Sequence, residues 1–403
     1  MTQTLHWQDH EKPCSAAWRN ENGVAAPKKV VLADDTMPAD TAYRLACEGT
    51  ALLWQGDFQN ARHLLQALAR RADRVPSKIT KKNQTAALKA AALSPRERFH
   101  AHRMAQSQRS RLLAALLVPL NADYSVPLRR APDWRSACAQ AYGGTASNGA
   151  IAGACVVSLR ELLGVVSAYE WRKNGVEVPE LRGSRYHKIH PHYGVFSPLR
   201  GEYLNLVANA PLPSHLKELP HPLVFDIGTG TGVLAAMMAQ RGAPRVIATD
   251  IDARALVCAA ENIDRLGYAA QITLLETDLF PAISRYGQAD LIVCNPPWLP
   301  ARPSSSLERA VYDEGSAMLL GFLNGLAAHL APRGEGWLIL SDLAEHLGLR
   351  TRDELLGWVK AAGLKVLGRR DIRPTHPKAL DASDALHAAR RQEVSSLWRL
   401  GAV

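Results

Sequence analysis

Several things are scarce in these 403 residues, and each scarcity excludes a class of protein. Cysteine is used six times, at Cys14, Cys47, Cys138, Cys155, Cys258 and Cys294, with no CxxC pair and no regular framework spacing. A disulfide-stapled scaffold is therefore excluded, and with no signal-like N terminus the thiols are expected reduced, in a cytoplasm. No apolar run approaches the ~18 residues of a membrane span, so no membrane association is expected. No internal repeat is visible. The one conspicuous glycine loop is not followed by Gly-Lys-Ser/Thr, which excludes a phosphate-binding P-loop.

Acidic residues are nearly missing from one segment. Arg70 to Arg111 holds twelve Lys or Arg against Asp73 and Glu97 alone, a local excess equal to the net charge of +10 carried by the whole chain. Such an imbalance points to nucleic acid or a ribonucleoprotein, although a solvated helix face is the usual alternative. Few aromatics interleave, so stacking on single strands is not indicated.

What is present is enough for two or three domains, with 47% apolar residues to build their cores. Residues 1–39 read as a loosely ordered lead-in. Residues 40–185 read as a mainly helical region: Asp40-Thr41 as an N-cap, then Leu45, Ala46, Leu52 and Leu53 at helical spacing. Leu64, Leu65 and Leu68 suggest a second, antiparallel helix, with Trp54 and Phe58 as core staples at the turn. Arg111 to Leu120 reads as helix, as does Leu159 to Trp171.

The informative stretch runs from Leu223 to Trp298. It opens on an apolar run ending in Asp226 and the alternating Gly228, Thr229, Gly230, Thr231, Gly232, then enters a helix-forming stretch at Val233. Three further short apolar runs end at Asp250, at Asp278 and at Asn295-Pro296-Pro297-Trp298. Four such strands separated by helices predict a parallel sheet with its polar residues along the carboxyl rim, where open α/β sheets bind ligands. The loop spacing is not the dinucleotide G-x-G-x-x-G, and Asp250 could accept from both hydroxyls of a ribose. That pair alone fits NAD or S-adenosylmethionine.

Asn295-Pro296-Pro297-Trp298 separates the two. The prolines end the strand and hold a carbonyl in a fixed direction. A planar NH2 group then finds two acceptors, the Asn295 side-chain oxygen and the Pro296 carbonyl, with the flat face of Trp298 for stacking.

On these motifs the span from Gly194 to Leu340 resembles the class I S-adenosylmethionine-dependent methyltransferases. It is most similar to the HemK/PrmC-type protein-glutamine methyltransferases and the small-domain RNA methyltransferases. The resemblance implies an α/β fold: a Rossmann-like, seven-stranded domain over 186–403 behind the mainly helical N-terminal region. It implies that Asp226, Gly228, Thr229, Gly230, Gly232, Asp250, Ile251, Asp278 and Asn295 hold S-adenosylmethionine. Asn295, Pro296, Pro297 and Trp298 would do the chemistry. Val195 to Glu202 resembles the segment that closes over the cofactor, offset by about a residue, so Tyr193, Phe196 and Pro198 are candidates for the acceptor entrance or lid. Trp298 stands where Tyr or Phe is commoner.

The acceptor implied first is a protein glutamine amide, with adenine N6 in RNA or DNA as the alternative and a small molecule as a third. The basic segment and the larger face of Trp298 favour the base. Intact Asp226, Asp250, Asp278 and Asn295 argue against a non-catalytic binding module. His187, His190 and His192 form the one metal-like cluster, but no Cys or carboxylate follows at zinc spacing and Pro191 opposes a helix face, so no metal is expected. A last, antiparallel edge strand is expected over 393–400.

Overall fold

The structure, a computed structural model, describes residues 3–74, 93–143, 153–181, 187–198, 201–305, 307–375, 381 and 384–403. Lys78, Lys81, Lys82 and Lys89 of the basic segment, and much of the 374–377 excursion, lie outside the described residues. The chain divides into two compact units, 1–93 with 100–170 and 94–99 with 171–403. The division falls at 170/171, upstream of the boundary expected at 185.

The first unit corrects the expectation of a mainly helical region behind a disordered lead-in. Its elements, with α3 beginning and α5 ending in residues of the second unit, are β1 (Gln3–Asp9), β2 (Lys12–Arg19), β3 (Val30–Ala33), α1 (Ala39–Cys47), β4 (Ala51–Trp54), α2 (Phe58–Ala72), α3 (Pro95–Ala114), β5 (Leu116–Leu120), α4 (Arg135–Tyr142), β6 (Cys155–Ser158) and α5 (Leu159–Asn174). The strands form one six-stranded sheet in the order β1-β2-β6-β5-β4-β3. The supposed lead-in is a hairpin, closed by His10 (φ 43°) and Glu11 (φ 68°). Both central residues are left-handed, as the twist of a two-residue hairpin demands, without the usual Asn-Gly to announce it.

Both expected helices form, as α1 and α2, but the first stops short at Gly49. Its φ of +80° ends α1, and Ala51–Trp54 then continues as a wholly buried strand parallel to β3 and β5. A four-residue apolar run in a sheet interior cannot be told from a buried helix turn by periodicity. The same ambiguity hid β5, which follows α3 where a continuous helix to Leu120 was expected. Leu5, Trp18, Leu53, Leu117 and Val156 form the core on one face of this sheet.

The second unit carries β7 (Val176–Glu177), β8 (Lys188–Ile189), α6 (Glu202–Asn209), β9 (Leu223–Ile227), α7 (Val233–Gln240), β10 (Arg245–Asp250), α8 (Ala253–Leu266), β11 (Ile272–Glu276), α9 (Ile283–Tyr286), β12 (Ala289–Cys294), α10 (Ala317–His329), β13 (Leu330–Ser341), α11 (Leu343–His346), α12 (Arg352–Ala361), β14 (Leu364–Ile372), α13 (His387–Arg390) and β15 (Ser395–Ala402). Seven of these strands form a sheet in the order β11-β10-β9-β12-β13-β15-β14. The first five are parallel, and β15 is antiparallel to both its neighbours.

Alternate residues of each strand serve opposite faces, which is why these strands read as unbroken apolar runs. Val224, Val246, Leu291 and Val293 join α6, α7 and α8 on one side. Leu223, Phe225, Ile292 and Cys294 join α10 and α12 on the other. The antiparallel direction of the last strand is as expected, but its place is not. β15 is nearly all buried and lies inside the sheet, whereas β14 is mostly exposed and forms the edge. Charged Lys365, Arg369, Arg370 and Asp371 are tolerable on an edge strand and not between two neighbours.

Candidate active site

The four strand ends singled out by the sequence meet where the strand order reverses, β9 lying between β10 and β12. A cavity of about 880 Å³ opens there. Connections diverging to either side leave a crevice at such a point.

The glycine loop is held from below. Asp226 is fully buried at the end of β9, and its Oδ2 accepts from Thr229 Oγ1 at 2.7 Å and from the Ala235 amide at 3.0 Å. Its Oδ1 is buried with no partner. Burial pushes its carboxyl up to about 7, against the pull of those two donors. Asp226 was expected to bind the cofactor, but it is not among the cavity-lining residues and instead braces the loop into α7. Gly232 likewise does not line the cavity. Its φ is +80°, and a Cβ there would stand 3.2 Å from Ala259 on α8, so the glycine serves helix packing.

Asp250, Ile251, Asp278, Gly228, Thr229 and Gly230 all line the cavity. Asp250 Oδ2 accepts from the Gly230 amide at 2.9 Å and Oδ1 from the Asp252 amide at 3.0 Å, tying the end of β10 to the glycine loop. Burial raises its pKa, opposed by those amides. Ile251, also on the cavity, is 70% exposed.

At the end of β12, Asn295, Pro296, Pro297 and Trp298 line the same cavity. The indole does more than offer a face: Trp298 Nε1 donates to Asn295 Oδ1 at 2.9 Å. The ring is half-buried and packs against the cores on both sides of the sheet. Asp313, not foreseen from the sequence, also lines the cavity and caps α10 through the Met318 and Leu319 amides, at 3.0 and 3.1 Å.

Of the three residues expected at the entrance, Phe196 lines the cavity while Tyr193 and Pro198 do not. Tyr193 lies instead with its ring 6.0 Å from the Arg254 guanidinium. The neighbouring histidines act as fasteners. His190 Nδ1 lies 2.6 Å from the Arg172 carbonyl, and His192 Nε2 lies 2.9 Å from Glu261 Oε2, which also accepts from Arg172 at 2.7 Å. Burial lowers both histidine pKa values, which favours the neutral ring. Among the described residues no group of three His, Cys, Asp or Glu is placed to hold a metal.

Asn262 is the residue the motifs missed. Fully buried on α8, it accepts from the His190 amide at 2.8 Å and donates to the Thr231 carbonyl at 3.2 Å. Its signal was a polar residue on the apolar face formed by Cys258, Ala259, Ile263 and Leu266, where only a satisfied side chain is tolerated.

Residues 187–344 match the family model described as methyltransferase small domain. A release factor glutamine methyltransferase of Cereibacter sphaeroides is 34% identical over 183 residues, 42% of this chain and 60% of that protein. A tRNA1(Val) (adenine(37)-N6)-methyltransferase of Shewanella loihica is 32% identical over 126 residues, 30% of this chain and 52% of that protein. The chain thus spans little more than half the length of these relatives. A solved S-adenosylmethionine-dependent methyltransferase of Geobacter sulfurreducens, in complex with S-adenosyl-L-homocysteine, aligns with 56% of this chain and 99% of its own at 17% identity and a TM-score of 0.33.

Proposed function

We propose that this chain, whose residues 187–344 carry a methyltransferase small domain, is an S-adenosylmethionine-dependent N-methyltransferase acting on a planar amide or amine nitrogen. A protein glutamine side chain is the leading acceptor. The observation that carries the reading is Asn295 beside Pro296 at the end of β12, on the same cavity as the glycine loop and Asp250. Asp250 and Ile251 would hold the ribose and adenine, with Asp278 beside the base.

Amide and exocyclic amine nitrogens are weak nucleophiles because their lone pair is delocalised. Asn295 Oδ1 and the Pro296 carbonyl would accept the two N–H hydrogens, letting the nitrogen pyramidalise and point its lone pair at the methyl group. Bound S-adenosylmethionine would supply the methyl group and keep the C–S bonding pair as a neutral thioether, while the acceptor nitrogen, held by Asn295 and Pro296, would release one proton to water. The sulfonium supplies the electrophile, so positioning contributes most of the catalysis and no strong base is required.

The second reading is adenine N6 in RNA or DNA. It is favoured by the basic segment, where Arg96, Arg98, His100 and Arg111 are exposed on α3. Both readings fit an enzyme of the cytoplasm with a macromolecular acceptor, and no described helix is long and apolar enough to cross a membrane. A small-molecule acceptor is the third.

Transfer of a tritiated methyl group from the cofactor into a fractionated cell lysate separates them. Label lost on protease treatment supports glutamine, label lost on nuclease supports adenine, and label surviving both supports a small molecule. No transfer into any fraction, with S-adenosylhomocysteine failing to bind, would refute the methyltransferase reading.

A further inference from the structure

Resting on that reading, we propose that the Trp298 indole N–H is a positioning group that sets the orientation of the Asn295 amide for methyl transfer. An amide side chain has two nearly isosteric ends, one accepting and one donating. Only the oxygen end is useful to an acceptor nitrogen, which approaches with hydrogens. If the amide flipped, its NH2 would meet the incoming NH2 donor to donor.

The backbone does little to prevent the flip, because Asn295 follows the last strand residue and precedes two prolines that lack N–H groups. What fixes it is three residues on. An indole nitrogen can only donate. At 2.9 Å from Asn295 it must therefore face oxygen, so the bond both defines and holds the productive end of the amide. The ring cannot easily turn away, since it is half-buried between two core clusters.

An amide oxygen has two lone pairs. One is engaged by Trp298 and the other remains for the acceptor's N–H. The two donors share one oxygen without competing for one lone pair. Phe in this place would supply the same apolar ring without the donor, and Tyr would carry its hydroxyl at the far end of the ring. Trp298 acts through Asn295, and the stacking face assigned to it from the sequence is a separate property of the same ring.

The acceptor need not be known to test this. Sinefungin carries an ammonium group where S-adenosylmethionine carries its methyl, so its N–H hydrogens stand in for those of the acceptor nitrogen. S-adenosylhomocysteine has nothing there. The ratio of their affinities, measured by calorimetry, reads the alignment of Asn295 Oδ1 and cancels effects common to cofactor binding. Replacing Trp298 by 3-benzothienylalanine keeps the ring's shape and removes only the donor. Trp298→Phe is the genetically simpler companion.

Both changes should lower the sinefungin preference about threefold to tenfold, the effect of one misaligned hydrogen bond, with the affinity for S-adenosylhomocysteine within about twofold of wild type. In an Asn295→Ala background the Trp298 changes should have no further effect on the ratio. An unchanged ratio with the benzothienyl ring overturns the proposal, as does an equal loss of both ligands, which would mean a purely structural role. Failure of the wild type to bind either ligand would instead remove the methyltransferase reading itself, and this proposal with it.

Discussion

Asn262 ties two parts of the cavity wall to one helix. Its Oδ1 accepts from the His190 amide at 2.8 Å, and its Nδ2 donates to the Thr231 carbonyl at 3.2 Å. The glycine loop and the segment leading to Val195 and Phe196 thus share a single buried side chain. The bond to Thr231 needs a donor and the bond to His190 needs an acceptor, a combination that few side chains of this size supply.

Asn262→Ala leaves both backbone groups without their partner and should cost about 1–3 kcal/mol of stability. Asn262→Asp keeps the acceptor and loses the donor. It should weaken S-adenosylhomocysteine binding through the loop, even where urea unfolding shows the fold intact. Wild-type affinity in the Asp variant would show that the loop does not depend on this tie.

Asp250→Ala should lower cofactor affinity by roughly 2–4 kcal/mol, the range for losing charge-assisted hydrogen bonds. Part of the loss comes from releasing the Gly230 amide, which the carboxylate holds at 2.9 Å. Unchanged binding by calorimetry would take Asp250 out of the site.

Asn295→Ala acts on the other partner. Turnover should fall roughly 100- to 1000-fold, with S-adenosylhomocysteine affinity nearly unchanged, because the contact proposed for it is to the acceptor nitrogen. Turnover within a few-fold of wild type on the identified acceptor would contradict the amide or amine assignment.

The buried Asp226 predicts an unusual pH dependence. Its carboxyl is raised to about 7 by burial, above the ordinary aspartate range near 3.8. The folded state therefore holds this proton when the unfolded chain has released it. The contribution to stability is fully present below about pH 4 and is lost as pH rises towards 7, at roughly 1.4 kcal/mol per unit. Asp226→Asn cannot ionise. The gap in urea midpoint between variant and wild type should shift in the variant's favour from pH 4.5 to pH 7.5. A gap independent of pH would mean that Asp226 titrates near its ordinary value.

If the basic segment docks on nucleic acid, affinity for total RNA must fall steeply with salt, by about 0.7–0.9 log units per log unit of salt for each phosphate contacted. Arg98→Gln with Arg111→Gln, both exposed on α3, should flatten that slope by about 1.4 to 1.8 units without disturbing cofactor binding. No binding at low salt in a filter assay would leave those charges as a solvated face and turn preference to a protein or small-molecule acceptor.

How much of this was legible depended on how local the determining physics is. Strand ends with a carboxylate, alternating glycines and Asn-Pro-Pro-aromatic are contiguous, so the cavity-lining Gly228, Gly230, Asp250, Asp278 and Asn295 could be named from the sequence. The capping box of α12, formed by Thr351 and Glu354, is equally local. The first unit was misread because Ala51–Trp54 and Leu116–Leu120 are short apolar runs. Whether such a run becomes strand or helix is decided by the neighbours it pairs with, which are distant in sequence.

The same distinction holds within the site. The sequence by itself determined which residue types stand at the rim of the sheet. Only the tertiary structure decided what each one faces. Asp226 faces into the protein, where burial raises its pKa, while Asp250 faces the cavity. His190 and His192 fasten a segment to α8 because Asn262 and Glu261 lie across from them, some seventy positions away. The order of β15 and β14 was likewise settled by burial, since an apolar strand gains from two neighbours and a charged one must keep an open edge.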